Sequence, residues 1–140
     1  LATIEEILED LEFFDDWEER YKYIIDLGKE LEPMPDSLKT ETRLVKGCQS
    51  NVWLDTQLEA TQYESESRLH FVVDSDAVIV KGLLALVLAA FDRKTPADIT
   101  AFDVDSYFTR LDLERHLSPT RGNGLRAIVA KIRAIADASH

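Results

Sequence analysis

The only cysteine of the sequence, Cys48, is the residue best suited to covalent chemistry. It follows Gly47 and precedes Gln49 and Ser50, a small and polar segment typical of a loop tip. Gly47 lets the backbone turn freely directly before the sulfur. Only a thiolate attacks sulfur efficiently, and Lys46, two residues before Cys48, could favour the anion. The segment therefore predicts a displayed thiol that can act as a nucleophile.

Two other interpretations of Cys48 stay open on these residues alone. A lone cysteine can be a small buried hydrophobe, and the chain would then be a protein-interaction module with an inert thiol. Alternatively, His116 could act as a base for Cys48 in a Cys–His hydrolase, although no oxyanion motif or nucleophile signature accompanies it. An inert cysteine would resist alkylation in the native protein, and a hydrolase would turn over esters or peptides by itself.

The charge of the chain narrows the classes of partner. Among 140 residues, 27 are acidic and 16 are Lys or Arg, which gives a net charge of −11. Nucleic acid and anionic membrane surfaces are disfavoured, because both attract basic surfaces. A protein with a basic or mixed surface fits better, although the acidity can also serve solubility alone.

The cysteine count and the histidine spacing exclude several kinds of site. One cysteine excludes an internal disulfide, a cysteine-rich zinc site and an iron–sulfur cluster held by one chain. His70, His116 and His140 show no metal-ligand spacing, so no metal is predicted. The sequence shows no signal peptide, and the apolar stretch Ala77–Phe91 is too short to span a bilayer, which favours a reducing, cytoplasmic location.

The periodicity of apolar residues predicts an α+β fold in one domain over residues 1–140. Helix starts are predicted at capping residues, and the long apolar stretch is typical of a central buried helix. Three alternating or β-rich runs predict a small three-stranded antiparallel sheet with one face covered by helices. The predicted helix starts are Thr3, Asp16, Ala77, Thr95, Asp103 and Ser118, with ends at Gly28 and Phe108 for the second and fifth; the predicted strands are Glu41–Val45, Asn51–Glu59 and Arg68–Asp74.

These elements place Cys48 in the loop between the first two strands. Asp74 and its two neighbours are predicted to cap the central helix, where they could also lie near the loop. Arg121 stands in the first turn of the last helix, where the helix dipole disfavours a cation. It could reach an anion; alternatively, it pairs with a nearby carboxylate, or the helix begins later, at Asn123.

Several sequence blocks together resemble the SufE family. The segment from Gly47 to Leu54, GCQSNVWL, is similar to the family's signature loop, and further blocks follow the same order along the chain from Trp17 to the last helix. These blocks are WEERY at 17–21, DSDA at 74–77, IVKGL at 79–83, FDV at 102–104, HLSPTR at 116–121 and GL at 124–125.

The resemblance implies a fold, a role and partners. The family fold is α+β and similar to that of IscU-type scaffolds. Its sulfur-accepting cysteine corresponds to Cys48, which would take persulfide sulfur from a SufS-like or CsdA-like cysteine desulfurase, stimulate that enzyme, and pass the sulfur to an iron–sulfur scaffold complex or another acceptor. Pyridoxal phosphate would belong to the desulfurase, so the chain would be a sulfur-transfer accessory protein with no cofactor and no enzymatic activity of its own. Residues expected to support the loop or bind the partner are Gly47, Gln49, Ser50, Asn51, Asp74 and Arg121.

Overall fold

The computed structural model describes residues 2–139 and has the predicted α+β architecture. His140 lies outside the described residues. Within residues 2–139, helices flank a two-stranded antiparallel sheet, and short 3-10 turns connect some of the elements. The helices are α1 (Ile4–Glu12), α2 (Trp17–Lys29), α3 (Val78–Phe91), α4 (Pro96–Ala101), α5 (Val104–Leu111) and α6 (Pro119–Ala138); the strands are β1 (Val52–Glu59) and β2 (Arg68–Ser75).

Five of the predicted helix starts are confirmed by side-chain caps. In each case the cap oxygen accepts the backbone N–H three residues further on, which satisfies a donor that the helix itself leaves free. The caps are Thr3, Asp16, Thr95, Asp103 and Ser118. The predicted ends are less accurate, because α2 continues to Lys29 and α5 to Leu111, beyond Gly28 and Phe108.

Helix α3 is the centre of the molecule. Apart from Lys81 its side chains are apolar, and Leu84, Ala85 and Phe91 are fully buried. Helix α2 packs against one side of α3, strand β2 against another, and α6 and α1 also contact it. A helix that is apolar all round must be covered on all sides, so α3 organises the core.

The prediction of a third strand over Glu41–Val45 is wrong. Residues Glu41–Arg43 form a 3-10 turn, and only the next two residues pair with β1. Leu44 forms an isolated antiparallel bridge with Trp53, and the Val45 N–H donates to the Val52 carbonyl at 2.8 Å. The chain then turns at Lys46–Gly47, where Gly47 adopts a φ of 95°, so the pairing cannot continue.

The sheet has two different faces. The register places Val52 opposite Ser75 and Trp53 opposite Asp74, so the predicted alternation along β1 is confirmed. The inner face, which includes Val52 and Leu54, is buried in the core. The alternation along Asn51–Glu59 predicts that Leu58 shares the face of Val52, Leu54 and Thr56, but Leu58 is 62% exposed near the end of β1.

The outer face is covered by residues 32–43, which we call the strap. Met34 of the strap is buried, and so is Val72 on the outer face of the sheet. Charged groups join the two layers in three pairs, each with one member in the strap and one on the sheet. These pairs are Glu32–His70, Lys39–Asp74 and Arg43–Asp55.

His70 lies between two carboxylates. Its Nε2 is 3.0 Å from Glu32 Oε2, and its Nδ1 is 2.9 Å from Asp92 Oδ1. Burial by itself lowers the pKa of His70, but the hydrogen bonds to Glu32 and Asp92 outweigh it, and the net shift is upward. The His70 ring therefore joins Glu32, at the start of the strap, to Asp92, directly after α3.

Helices α2 and α3 cross at a pair of glycines. A Cβ added to Gly28 would lie 2.7 Å from the Gly82 nitrogen, and a Cβ added to Gly82 would lie 2.7 Å from Ile24 Cγ2 and closer still to the Ile24 carbonyl oxygen. The two backbones thus approach too closely for any side chain between them.

We expect Gly82→Ala to lower the free energy of unfolding by about 1 to 3 kcal/mol, the usual cost of overpacking. This loss should exceed the gain of about 1 kcal/mol in helix propensity. Urea denaturation measures the free energy of unfolding of the native chain and of the variant. The matched control is Gly122→Ala in α6, where an added Cβ meets nothing within 4 Å. If both substitutions changed stability equally, close packing at Gly82 would not be the cause.

Candidate functional site

Cys48 lies in the loop that joins the strap to β1. The Val45–Val52 hydrogen bond closes the base of this loop. Gly47 has a left-handed backbone conformation, and a Cβ there would lie 3.2 Å from the Ala127 Cβ of α6. Only glycine meets both conditions without strain, and the turn aims the next residue, Cys48, towards α6.

The Cys48 side chain is half-buried at a small cleft of about 70 Å³. Its apolar wall comes from β1, α3 and α6, and its polar rim comes from the loop and the first turn of α6. The apolar residues are Val52, Val80, Leu83, Leu125 and Ile128; the others are Gln49, Ser50, Ser118, Thr120, Arg121 and Gly124. The structure thus brings Gln49, Ser50 and Arg121 together with Cys48.

The resting sulfur is a protected thiol. Its S–H donates to the Gly124 carbonyl oxygen at 3.6 Å. Burial raises the pKa of the Cys48 thiol. Lys46 is exposed and does not line the cleft, so the expectation that it favours the anion is wrong for this loop conformation.

Arg121 lies in the first turn of α6, at the edge of the cleft. The helix begins at Pro119, and the Arg121 N–H donates to Ser118 Oγ at 3.2 Å, so the alternative of a later start at Asn123 is wrong. None of the ion pairs formed within residues 2–139 includes Arg121, which removes the other alternative, a nearby carboxylate. Its guanidinium and the positive end of α6 can both stabilise an anion in the cleft.

Asn51 ties the far end of the loop to the turn before α3. Its N–H donates to Asp76 Oδ1 at 3.2 Å, and its carbonyl accepts the Ser75 hydroxyl at 2.7 Å. The prediction that this turn caps α3 is only partly right. The N-cap is Ala77, which has no side-chain oxygen, and Ser75 Oγ instead accepts the Ala77 N–H.

Asp74 lies outside the cleft, on the outer face of the sheet. Its carboxylate is 2.9 Å from Lys39 Nζ and 3.3 Å from Lys81 Nζ. Burial would raise the pKa of Asp74, but the hydrogen bonds from Lys39 and the Ser75 N–H, with the charge of Lys81, lower it overall. The expected role of Asp74 in loop support or partner binding therefore involves the strap and not direct contact with Cys48.

His116 is not placed as a base for Cys48. Its ring stacks on Trp17 at 3.9 Å, its Nε2 is 3.6 Å from Asp112, and its carbonyl accepts the Tyr21 hydroxyl. It does not line the cleft. The Cys–His hydrolase interpretation therefore has no base beside the sulfur.

Sequence reasoning missed the part of the cleft supplied by α3 and α6. Val80, Leu83 and Ser118 reach Cys48 only through the tertiary fold. Gly124 gave the one available signal, since a glycine inside a helix suggests close approach of another group. Here an added Cβ would lie 3.7 Å from the Cys48 sulfur.

The described residues, 2–139, contain neither a group of metal ligands nor a membrane-spanning helix. No group of three or more His, Cys, Asp or Glu side chains in this range is arranged to hold a metal ion. In the same range, every helix is too short or too polar to cross a bilayer.

The fold is similar to a solved structure of low sequence identity. A hypothetical protein from Thermus thermophilus, determined in solution, superposes with a TM-score of 0.72 over 97% of this chain and 94% of its own, at 17% identity. At that identity the likeness supports the fold alone.

Comparisons of sequence identify the family of the chain as well. An uncharacterised SufE-like protein of Rhizobium meliloti is 42% identical over 98% of this chain and 96% of its own length. Another, of Rhizobium etli, is also 42% identical, over 95% of this chain and 88% of its own. The family model SufE, described as an Fe-S metabolism associated domain, matches residues 5–136. The chain therefore belongs to the SufE family and is associated with iron–sulfur metabolism.

Proposed function

We propose that this protein is a sulfur acceptor that takes persulfide sulfur from a cysteine desulfurase onto Cys48 and passes it on for iron–sulfur cluster assembly. The observation that carries the proposal is the position of the sole cysteine, half-buried in a cleft between an apolar wall and the positively charged start of α6. Membership of the SufE family implies the desulfurase partner. Pyridoxal phosphate belongs to that enzyme, and this chain needs no cofactor for the transfer.

The resting geometry suits a carrier that must not react prematurely. A thiolate at Cys48 would face the Gly124 carbonyl oxygen without a shared proton, which disfavours ionisation while the loop is folded in. The sulfur becomes reactive when the loop moves outward and the thiol is hydrated. Gly47, already in a conformation that other residues rarely adopt, is the natural hinge for this movement.

The transfer itself is thiol–persulfide exchange. The Cys48 thiolate attacks the outer sulfur of the donor persulfide. A new S–S bond forms on Cys48 as the donor S–S bond breaks, and the donor cysteine leaves as a thiolate that takes up the proton lost by Cys48. One sulfur atom passes from the donor cysteine to Cys48, and no oxidant or reductant is consumed.

The cleft can then shelter the product. Its volume of about 70 Å³ exceeds the roughly 15 Å³ that a single water-sized group requires. The added sulfur would be anionic at its end, where Arg121 and the first turn of α6 supply positive potential. The apolar wall limits access of water and of stray thiols until a scaffold complex or another acceptor removes the sulfur.

The first test is the intact mass of the protein after mixing with a cysteine desulfurase and cysteine, without reductant. We expect a gain of one sulfur atom or more, lost when reductant is added, since the new bond is an S–S bond. Cys48→Ser should bind the desulfurase and gain nothing. If Cys48→Ser stimulated desulfurase turnover as well as the native chain, sulfur acceptance would not be the function.

A second test concerns Arg121. We expect Arg121→Gln to slow sulfur transfer to Cys48 by about threefold to fivefold. This factor corresponds to the loss of about 1 kcal/mol or slightly less, the typical interaction energy of one charge at a helix end. The matched control is Arg126→Gln, since Arg126 is an exposed arginine of the same helix that pairs with Glu114 and does not line the cleft. Equal rates in both variants would remove Arg121 from the mechanism.

The third test is the pH dependence of Cys48 alkylation by iodoacetamide in the isolated protein. Because burial raises the pKa of this thiol, less of it is ionised at any pH near neutrality than in an unfolded chain. The rate should therefore rise with a midpoint above about 8.5, the ordinary thiol value. The same protein in urea is the control, and a native midpoint at or below the value in urea would contradict a protected resting thiol.

A further inference from the structure

The strap is fastened next to the loop that carries Cys48. Arg43 Nε lies 2.9 Å from Asp55 Oδ1, and Arg43 also donates to the Thr40 hydroxyl at 3.1 Å. Lys39 Nζ lies 2.9 Å from Asp74 Oδ2. Both carboxylates stand on the outer face of the sheet, in adjacent cross-strand rows.

These pairs are asymmetric in burial. The side chains of Asp55 and Asp74 are only 17% and 15% exposed, whereas those of Arg43 and Lys39 are 32% and 27% exposed. A carboxylate that is largely removed from water depends on its cation, because losing the partner leaves its charge poorly solvated. Breaking either ion pair therefore carries a solvation cost, and this cost keeps the strap attached to the sheet.

Arg43 leads directly into one arm of the Cys48 loop. This arm, Leu44 and Val45, pairs with β1 at one place, the Leu44–Trp53 bridge, in which the Val45 N–H donates to the Val52 carbonyl. The other arm is β1 itself, which is locked in the sheet by its pairing with β2. Any outward movement of Cys48 larger than a rotation at Gly47 therefore displaces the arm that Arg43 anchors.

We propose that the strap is an ionic latch: the Arg43–Asp55 and Lys39–Asp74 pairs set how readily the Cys48 loop leaves its cleft. The purpose of the latch rests on the proposed function, because a sulfur acceptor must present its thiol to a partner and withdraw it afterwards. The residues of the latch act through the loop and touch no sulfur, so they are positioning residues.

The test is the rate at which iodoacetamide alkylates Cys48 in the full chain, with no desulfurase present. We expect Arg43→Gln and Asp55→Asn each to raise the rate about fivefold, the effect of losing about 1 kcal/mol of restraint. The two substitutions change the net charge in opposite directions, so a common acceleration cannot arise from a long-range shift in the pKa of Cys48. The double variant should react little faster than either single variant, since both break one interaction.

The matched control is Arg93→Gln. Arg93 pairs with Glu59 at 2.6 Å, an ion pair on the same strand but at its far end and with no member in the strap. This variant should alkylate at the native rate. A second control is Ile7→Val, since Ile7 is fully buried in α1 and belongs to neither the strap nor the cleft lining; it lowers global stability alone and so separates local release from general unfolding.

Three outcomes would overturn the latch proposal. Cys48 could be alkylated at the native rate in Arg43→Gln and Asp55→Asn, or Arg93→Gln could accelerate alkylation equally. Alternatively, the alkylation rates of all variants could follow their free energies of unfolding. If the Asp55 pair cannot be broken without loss of folding, Lys39→Gln carries an expectation in the same direction, but a smaller one because Asp74 keeps Lys81 at 3.3 Å; a native rate in this variant would then overturn the proposal. Because alkylation needs no sulfur donor, its outcome is independent of whether Cys48 gains sulfur from a desulfurase.

Discussion

The close crossing of α2 and α3 is the constraint on which the rest of the structure depends. Gly28 and Gly82 let the two backbones approach closely, and this contact fixes α3 as the central helix, buried from Gly82 to Leu88. The start of α3 then supplies Val80 and Leu83 to the Cys48 cleft, while its end supplies Asp92 to His70. One backbone contact thus sets the position of both the site and the anchor of the strap.

The site combines two requirements that oppose each other. A sulfur that travels between proteins must be shielded from water and stray electrophiles, but shielding also raises the pKa of the thiol and suppresses its reactivity. The structure reconciles them by placing the sulfur on a loop and the positive groups on α6. Inside the cleft, the thiol donates to the Gly124 carbonyl and its reactivity is low. Arg121 and the positive end of α6 line the same cleft, where an added terminal sulfur would be held.

Local signals in the sequence predicted the parts of the fold that local chemistry decides. Caps such as Thr3 and Ser118 predicted helix starts, because a side-chain oxygen three residues before a free N–H is a local matter. The strand alternation predicted which face of β1 enters the core. The strap was not predicted, because the partners Arg43 and Asp55 are surface-type residues whose pairing depends on tertiary structure. The cleft walls from α3 and α6 were hidden for the same reason, although family resemblance pointed to Cys48 and Arg121.

The missing third strand has a physical consequence for the site. A full strand over Glu41–Val45 would have held the arm of the Cys48 loop by a ladder of backbone hydrogen bonds, each with a net contribution of about 1 kcal/mol and all of them released together. The observed arm has a single bridge, which includes the Val45–Val52 hydrogen bond, and the Arg43 ion pair. Such a combination is strong enough to define a resting position and weak enough for a partner to open. An arm built as a regular strand would hold Cys48 in its cleft more tightly, so the proposed sulfur transfer depends on the irregular segment that replaces the predicted strand.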